Sequence, residues 1–301
     1  MENIQKQVSA VRSVEYELEA ITPVTIHGAD TGQSEARLAS IKGMTRYWYR
    51  VLGSDTDTKA MQEKERALFG SAQGTSLKSK IWFTEKAFSA RNGTFRPSHS
   101  KSFTVSAFTE GTKWRIAVST KKSEEANLVF GAAAFEGAVL LGGFGQRGRH
   151  GASSFKFTDR ILDTPADYLR KIEQIAQILG TETEVDEKKL RIKRRRSFQG
   201  QEQRPYWMET TLLVTGLKSN TKDILAVIRE ATHDCHTKFE GALGAMNPRF
   251  PAPLHTSLYT FSDGNAVIIS EIHHEKSQSQ RFLDAKHQYE QTIKEGLHKM
   301  R

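Results

Sequence analysis

One cysteine, Cys235, stands alone in a chain of 301 residues. An internal disulfide and a cysteine-rich metal fold are therefore excluded, and a reducing, cytoplasmic setting is expected. Long apolar runs are also missing, with none near the roughly 18 residues that would suggest a membrane span. The opening residues Met1 to Val8 include Glu2, Gln5, Lys6 and Gln7 and have no hydrophobic signal core. A soluble, unexported protein with no membrane partner is the expectation. No nucleophile elbow marks a Ser/His/Asp or Cys/His site, and no Gly-Lys-Ser/Thr ending marks a P-loop. No cofactor and no catalytic residue are expected. Acidic residues are in deficit, with 35 Asp and Glu against 44 Lys and Arg, a net charge of +9. An excess of that size attracts polyanions and makes nucleic acid the leading partner class. Hydrophobic residues still make up 37% of the chain, enough to exclude disorder throughout.

Hydrophobic periodicity predicts the elements. Val14, Tyr16, Leu18 and Ala20 alternate with Glu15, Glu17 and Glu19 in a strand ending near Pro23. A loop runs over 26–40, and Ser40 is expected to cap a helix that Gly53 stops. A second helix runs from about Asp57 to Gly70. Strands follow over 80–88 and 112–120, then a long apolar helix through Leu128 to Leu140, a glycine-rich loop over 142–151 and a short strand from Phe155. This order resembles the βαββαβ ferredoxin-like unit. After a helix over 164–179, the polar segment 181–204 reads as a basic linker or mobile loop. Strand 207–217, helix 221–239, strands 254–261 and 266–272 around the Asp263-Gly264 turn, and helix 279–299 repeat the grammar. The expected fold is α+β, with an N-terminal unit over 1–160 and a less regular C-terminal unit over 161–301.

Three basic clusters could meet phosphate. In SIKGMTRYWYR, Lys42, Arg46 and Arg50 recur four apart and share one helix face. The same stripe also suits a merely solvated helix face. In GGFGQRGRHG, the glycines Gly142, Gly143 and Gly145 allow close backbone approach, and Arg147, Arg149 and His150 add charge and donors. Because a helix precedes these glycines, the loop is not a dinucleotide fingerprint. The third cluster, KKLRIKRRR, holds seven cations in nine residues, with Arg194, Arg195 and Arg196 at its end. It reads equally as a disordered basic tract or an RNA clamp. His233 and His236, one helical turn apart, lack convincing further ligands, as do His273 and His274, so no metal site is expected.

The strings VEYELEAITPVTIHGAD, SEARLASIKGMTRYWYRVL, Leu68 to Gly70 and LLGGFGQRGRHGASSF resemble the RAMP superfamily. Within it they are most similar to the family of first subunits of Cmr effector complexes in type III-B CRISPR systems. The strong resemblance covers residues 15–155. The C-terminal half matches weakly through NPRFPAPL, from Asn247 to Leu254. Leu38-Ala39 replaces a proline-containing step, and Gly148 and His150 stand where Ser and Arg are commoner, so this loop carries less fixed charge. The resemblance implies two tandem ferredoxin-like (RRM-like) domains. It also implies a non-catalytic subunit of an antiviral ribonucleoprotein, binding guide or target single-stranded RNA near the guide 3′ end beside other Cmr subunits. An alternative within the superfamily is a metal-independent endoribonuclease that processes guide precursors, with His27 or His150 as acid or base. The Lys42/Arg46/Arg50 and Arg147/Arg149/His150 clusters are expected to converge on one surface.

Overall fold

A computed structural model describes residues 10–30, 32–55, 57–72, 76–97, 103–195, 205–246, 249–273 and 279–300. Arg196, Asn247, Pro248 and His274 lie outside the described residues. The fold is mixed α+β, built on two antiparallel sheets.

The first sheet comprises β1 (Val11–Ala20), β2 (Ile81–Ser89), β5 (Lys113–Lys121) and β6 (Phe155–Phe157) in the order β2-β5-β1-β6. The alternating Glu15, Glu17 and Glu19 face out while Tyr16, Leu18 and Ala20 are buried, as period-2 patterning requires. Between β1 and β2 lie α1 (Leu38–Leu52) and α2 (Thr58–Phe69); between β5 and β6 lies α3 (Ala126–Leu141). Asp57 caps α2, its carboxylate accepting from the Lys59 and Ala60 amides. Ser40 does not cap α1: the helix begins at Leu38, Arg37 is the N-cap, and Ser40 lies inside the first turn. Gly53 stops α1 without a left-handed residue, its φ being −64°; a Cβ there would meet Met61 Cε of α2 at 2.3 Å. A small arm, β3 (Asn92–Phe95) with β4 (Val105–Phe108), joins β2 to β5.

The second sheet has the order β12-β13-β9-β8-β7. Here β9 (Tyr206–Leu217), α5 (Thr221–Lys238), β12 (Leu254–Phe261), β13 (Gly264–His273) and α6 (Gln280–His298) follow in sequence. The expected linker over 181–204 is corrected over its described part. Residues β7 (Thr183–Asp186) and β8 (Arg191–Arg194) form a hairpin, and β8 pairs antiparallel with β9. What hid this strand is its inward face: Ile192 and Arg194 are both buried there, and a buried arginine breaks the apolar alternation.

The two sheets share one core. Apolar on every side, α3 is buried between α1, α4 (Pro165–Ile178), the first sheet and β12. Burial of Trp48, Phe135, Phe144, Trp207 and Ile228 belongs to a single continuous hydrophobic cluster. The 142–154 loop lies across the seam. Its Gly151 amide donates to Thr256 O at 2.8 Å, and the Thr256 amide donates back to Arg149 O at 3.0 Å.

Candidate nucleic-acid interface

The loop that leaves α3 is fixed by packing. Phe144 is fully buried, its ring 5.7 Å from both Phe135 and Phe155. Gly143 has φ 71°, and a Cβ there would sit 1.9 Å from Ser153 O; a Cβ at Gly142 would sit 2.1 Å from Trp48 Nε1. These two glycines therefore serve close internal approach, not ligand approach. Most loop amides are engaged inside the protein: Phe144 N–H donates to Ser153 O, Gln146 N–H to Thr25 O and Ser153 N–H to Pro23 O.

At its tip the loop opens toward solvent. Gln146 and Arg147 are exposed, and Arg147 takes a left-handed φ of 60°, uncommon for a residue with a Cβ. A turn closes behind it where His150 N–H donates to Arg147 O at 2.9 Å. The consecutive amides of Arg147, Gly148 and Arg149 make no hydrogen bond among the described residues. Successive unengaged amides beside a left-handed residue are the makings of an anion-binding concavity.

Arg149 is aimed by its neighbours. Its Nη1 donates to Ala252 O at 3.2 Å, and its guanidinium lies 5.7 Å from the ring centre of Tyr47 on α1. Tyr47 stacks on His255 of β12, and Tyr47 Oη and His255 Nε2 share a hydrogen bond of 3.2 Å. Burial holds the Tyr47 hydroxyl above its ordinary pKa and His255 well below its own, with Arg149 and His150 depressing His255 further. The half-buried His150 is pushed down to about 4 by burial, then by Arg147, His236 and Arg149. It is neutral at pH 7 and adds a hydrogen-bonding ring, not a charge. Sequence reading missed Tyr47, His236 and His255 as members of this cluster. Tyr47 lies inside the quoted SIKGMTRYWYR string, but His236 and His255 reach the loop only through the tertiary fold.

The other predicted residues are placed differently. Arg46 Nε and Arg50 Nη1 both meet Glu65 Oε1 of α2, at 2.5 and 2.8 Å. Glu65 is buried, so the stripe clamps α2 to α1 and is partly neutralised. Lys42 Nζ donates to Ser79 Oγ at 3.4 Å, and burial followed by the Arg46 charge lowers its pKa. Convergence is limited: the loop reaches α1 at Tyr47, while Arg46 and Arg50 turn toward α2.

Arg194 is a correction to the expected RNA contact. It is 5% exposed, and its guanidinium donates to Trp207 O at 2.9 Å, to Val51 O at 3.3 Å and to Gly53 O at 3.1 Å. It caps the C-terminal end of α1 with positive charge, where the helix dipole favours a cation. Neighbouring cations of the tract meet carboxylates: Lys193 with Glu184 at 3.3 Å and Arg191 with Glu209 at 3.7 Å. Arg195 is exposed. His27 Nε2 lies 3.0 Å from Ser106 O. Among the described residues no group of three or more His, Cys, Asp and Glu side chains is placed to hold a metal ion. No helix among them is long and apolar enough to cross a membrane.

Comparison with known proteins puts a family to this arrangement, since the RAMP superfamily model matches residues 17–246. The chain belongs to the RAMP superfamily. It is 27% identical over 178 residues to CRISPR system Cmr subunit Cmr1-2 of Pyrococcus furiosus, covering 47% of this chain and 92% of that protein. The crystal structure of Cmr1 from Pyrococcus furiosus in its apo form has the same fold, with a TM-score of 0.59 over 88% of each chain at 16% identity. A chain in the cryo-EM structure of the type III-B Cmr-beta complex bound to cognate target RNA matches with a TM-score of 0.56. That match covers 95% of this chain and all of the other at 12% identity. The RAMP match runs from within β1 to the end of β10 (Ala245–Met246), which pairs with β11 (Arg249–Phe250), and so takes in the first sheet and the β7, β8 and β9 strands of the second, beyond the 15–155 region where the motifs are densest.

Proposed function

We propose that this protein is a non-catalytic, RNA-binding subunit of a type III-B CRISPR effector complex, holding single-stranded RNA at the tip of the 142–151 loop. One observation carries the reading. Arg147 and Arg149, with three consecutive amides between and beside them that no described residue engages, are held on a loop anchored by the buried Phe144. A charge on a pre-ordered loop loses little freedom on binding, so each phosphate contact retains most of its strength. The similarity to a Cmr subunit, and the fold shared with a chain of an RNA-bound Cmr complex, support the assignment. Contact with guide or target RNA near the guide 3′ end, beside other Cmr subunits, belongs to the same proposal.

The proposed architecture is two ferredoxin-like units. Support in the first is the strand order β2-β5-β1-β6, in which the four strands of a βαββαβ unit, numbered along the chain, lie side by side in the order 2-3-1-4. In the second, β9, β12 and β13 take the same relative places, and β8 fills the fourth-strand position from upstream. That substitution accounts for the less regular appearance of this half.

The endoribonuclease alternative gains nothing from the geometry. His150 is neutral and half-buried with cationic neighbours, and His27 is hydrogen-bonded to the Ser106 carbonyl. Incubating the purified chain with labelled single-stranded RNA, with and without EDTA, tests the reading: RNA is retained intact in both. Cleavage in EDTA would favour the nuclease, and absence of retention would overturn RNA binding.

A further inference from the structure

Behind the 142–154 loop the fold leaves a second basic cleft, which no sequence motif announces. It has a volume of about 410 Å³ and opens between the β3–β4 arm and α5. Arg96 and Phe95 come from the arm, and Lys222, Leu225 and Arg229 from α5. Its floor is shared with the loop. Pro23 lines the cleft and accepts the Ser153 amide, while Leu225 Cδ2 lies 2.8 Å from where a Cβ on Gly151 would stand.

The chemistry of the walls is divided. Arg229 Nη1 donates to the Arg96 carbonyl at 3.0 Å, which brings two guanidinium-bearing residues to one edge, with Lys222 nearby. The one carboxylate among the described lining residues, Glu110, accepts a hydrogen bond from Thr221 Oγ1 at 3.0 Å. Among the described lining residues, three cations therefore stand beside one carboxylate at the rim. Gathering like charges costs free energy unless an anion enters between them. The half-buried Phe95 and the buried Leu225 form the apolar side, and the hydroxyls of Thr94 and Thr104 are available to a sugar. The volume falls within the range that encloses a small ligand.

We propose that this cleft is a nucleotide subsite of the same RNA path, with a phosphate between Arg96, Lys222 and Arg229 and a base against Phe95 and Leu225. The inference rests on the RNA-binding reading above and extends it from the loop tip to the seam between the two halves. A base packed on an apolar wall is read without sequence preference, so the subsite accepts any unpaired nucleotide. An acidic protein segment would satisfy the cations but would leave the apolar wall without a flat partner.

The test uses the full chain and a fluorescein-labelled oligouridine of about 20 nucleotides, with anisotropy read across a salt series. Combining Arg96→Ala with Lys222→Ala should weaken binding about tenfold and make the log–log salt slope shallower by about 0.7, the loss of one phosphate on a single strand. Both side chains are exposed, so melting should be unchanged, and Lys222→Glu alone provides a second variant that should weaken binding at least as much as Lys222→Ala. An oligonucleotide carrying 4-thiouridine should crosslink to the peptide containing Phe95. If Arg147→Ala with Arg149→Ala weakens binding while the cleft variants do not, the subsite is overturned and the loop assignment stands. If the intact chain retains no RNA, both fall. Displacement of the RNA by polyglutamate as readily as by unlabelled oligonucleotide of equal charge would also overturn the subsite, because charge alone would then account for the affinity.

Discussion

The glycine-rich loop and the basic tract over 188–195 are built from the same cations, and the fold uses them in opposite ways. In the tract, Arg194 is buried on the Val51 and Gly53 carbonyls at the end of α1 and on the Trp207 carbonyl of β9, while Lys193 and Arg191 meet Glu184 and Glu209. In the loop, Arg147 is exposed, and Arg149 lies on Tyr47 with one hydrogen bond to a carbonyl. The tract is richer in positive charge by sequence, yet the structure directs much of that charge inward or onto carboxylates. Cation density in a sequence is thus a weaker guide to a polyanion site than whether the backbone beneath the cations is anchored and its amides left unengaged.

That contrast can be broken most severely at Arg194. Removing the guanidinium leaves buried carbonyls without a donor and a helix end without its cap. Arg194→Ala should therefore lower stability by about 3–5 kcal/mol in thermal or urea unfolding. The folded fraction should bind RNA with unchanged affinity. An Arg194→Ala protein of normal stability and lost RNA affinity would make the tract the RNA site. Next in size, Arg147→Ala with Arg149→Ala should weaken single-stranded RNA binding by about 2–4 kcal/mol, because these contacts to phosphate are charge-assisted and only partly screened, and should cost no more than about 1–2 kcal/mol of stability, for the Arg149 bond to Ala252 O and its contact with Tyr47.

A third effect follows from His150. Its folded pKa, near 4, lies below the unfolded value of 6.5, so the unfolded chain binds more protons between the two. The stabilising contribution is present above pH 6.5 and is lost as pH falls through 4, by about 3 kcal/mol for this residue. His150→Asn should flatten the decline in melting temperature between pH 7 and pH 5 relative to the parent chain; an identical decline would exclude His150 as its source. The smallest effect concerns Glu65. Glu65→Gln removes the charge that engages Arg46 and Arg50, and should cost about 1–2 kcal/mol of stability. It should also tighten RNA binding by about threefold, roughly 0.6 kcal/mol, if the α1 stripe borders the RNA path. Unchanged affinity would confine Arg46 and Arg50 to holding α2.

Much of the chain was legible because its periodicity survives tertiary context. The Glu15/Glu17/Glu19 alternation predicted β1, the all-round apolar run predicted α3, and Asp263-Gly264 marked the β12–β13 turn. The segments that escaped share a physical reason. In β8 the inward positions are Ile192 and Arg194, so half of its buried face reads as polar. The β3–β4 arm is two strands of only four residues, the first of them opening on Asn92, Gly93 and Thr94, too short to show an alternation, and it takes its order from the pairing of its two strands and from Val24, whose amide donates to Phe108 O. Within the site, Arg147, Arg149 and His150 stand together in sequence, whereas Tyr47, His236 and His255 converge on them from two helices and the far sheet. The purpose of the glycines differed too. Gly142 and Gly143 clear space for Trp48 and the Ser153 carbonyl, which no local pattern could reveal.

The central claim is that anchored loop cations, not the denser tract, hold RNA phosphate, and the salt dependence of single-stranded RNA affinity tests it most directly. The parent chain should give a log–log slope near −4 if about six phosphates are contacted. Arg147→Ala with Arg149→Ala should make it shallower by about 1.4, while Lys188→Ala with Lys189→Ala, two exposed tract cations, should leave it in place. A slope unmoved by the loop pair and reduced by the tract pair would contradict the account.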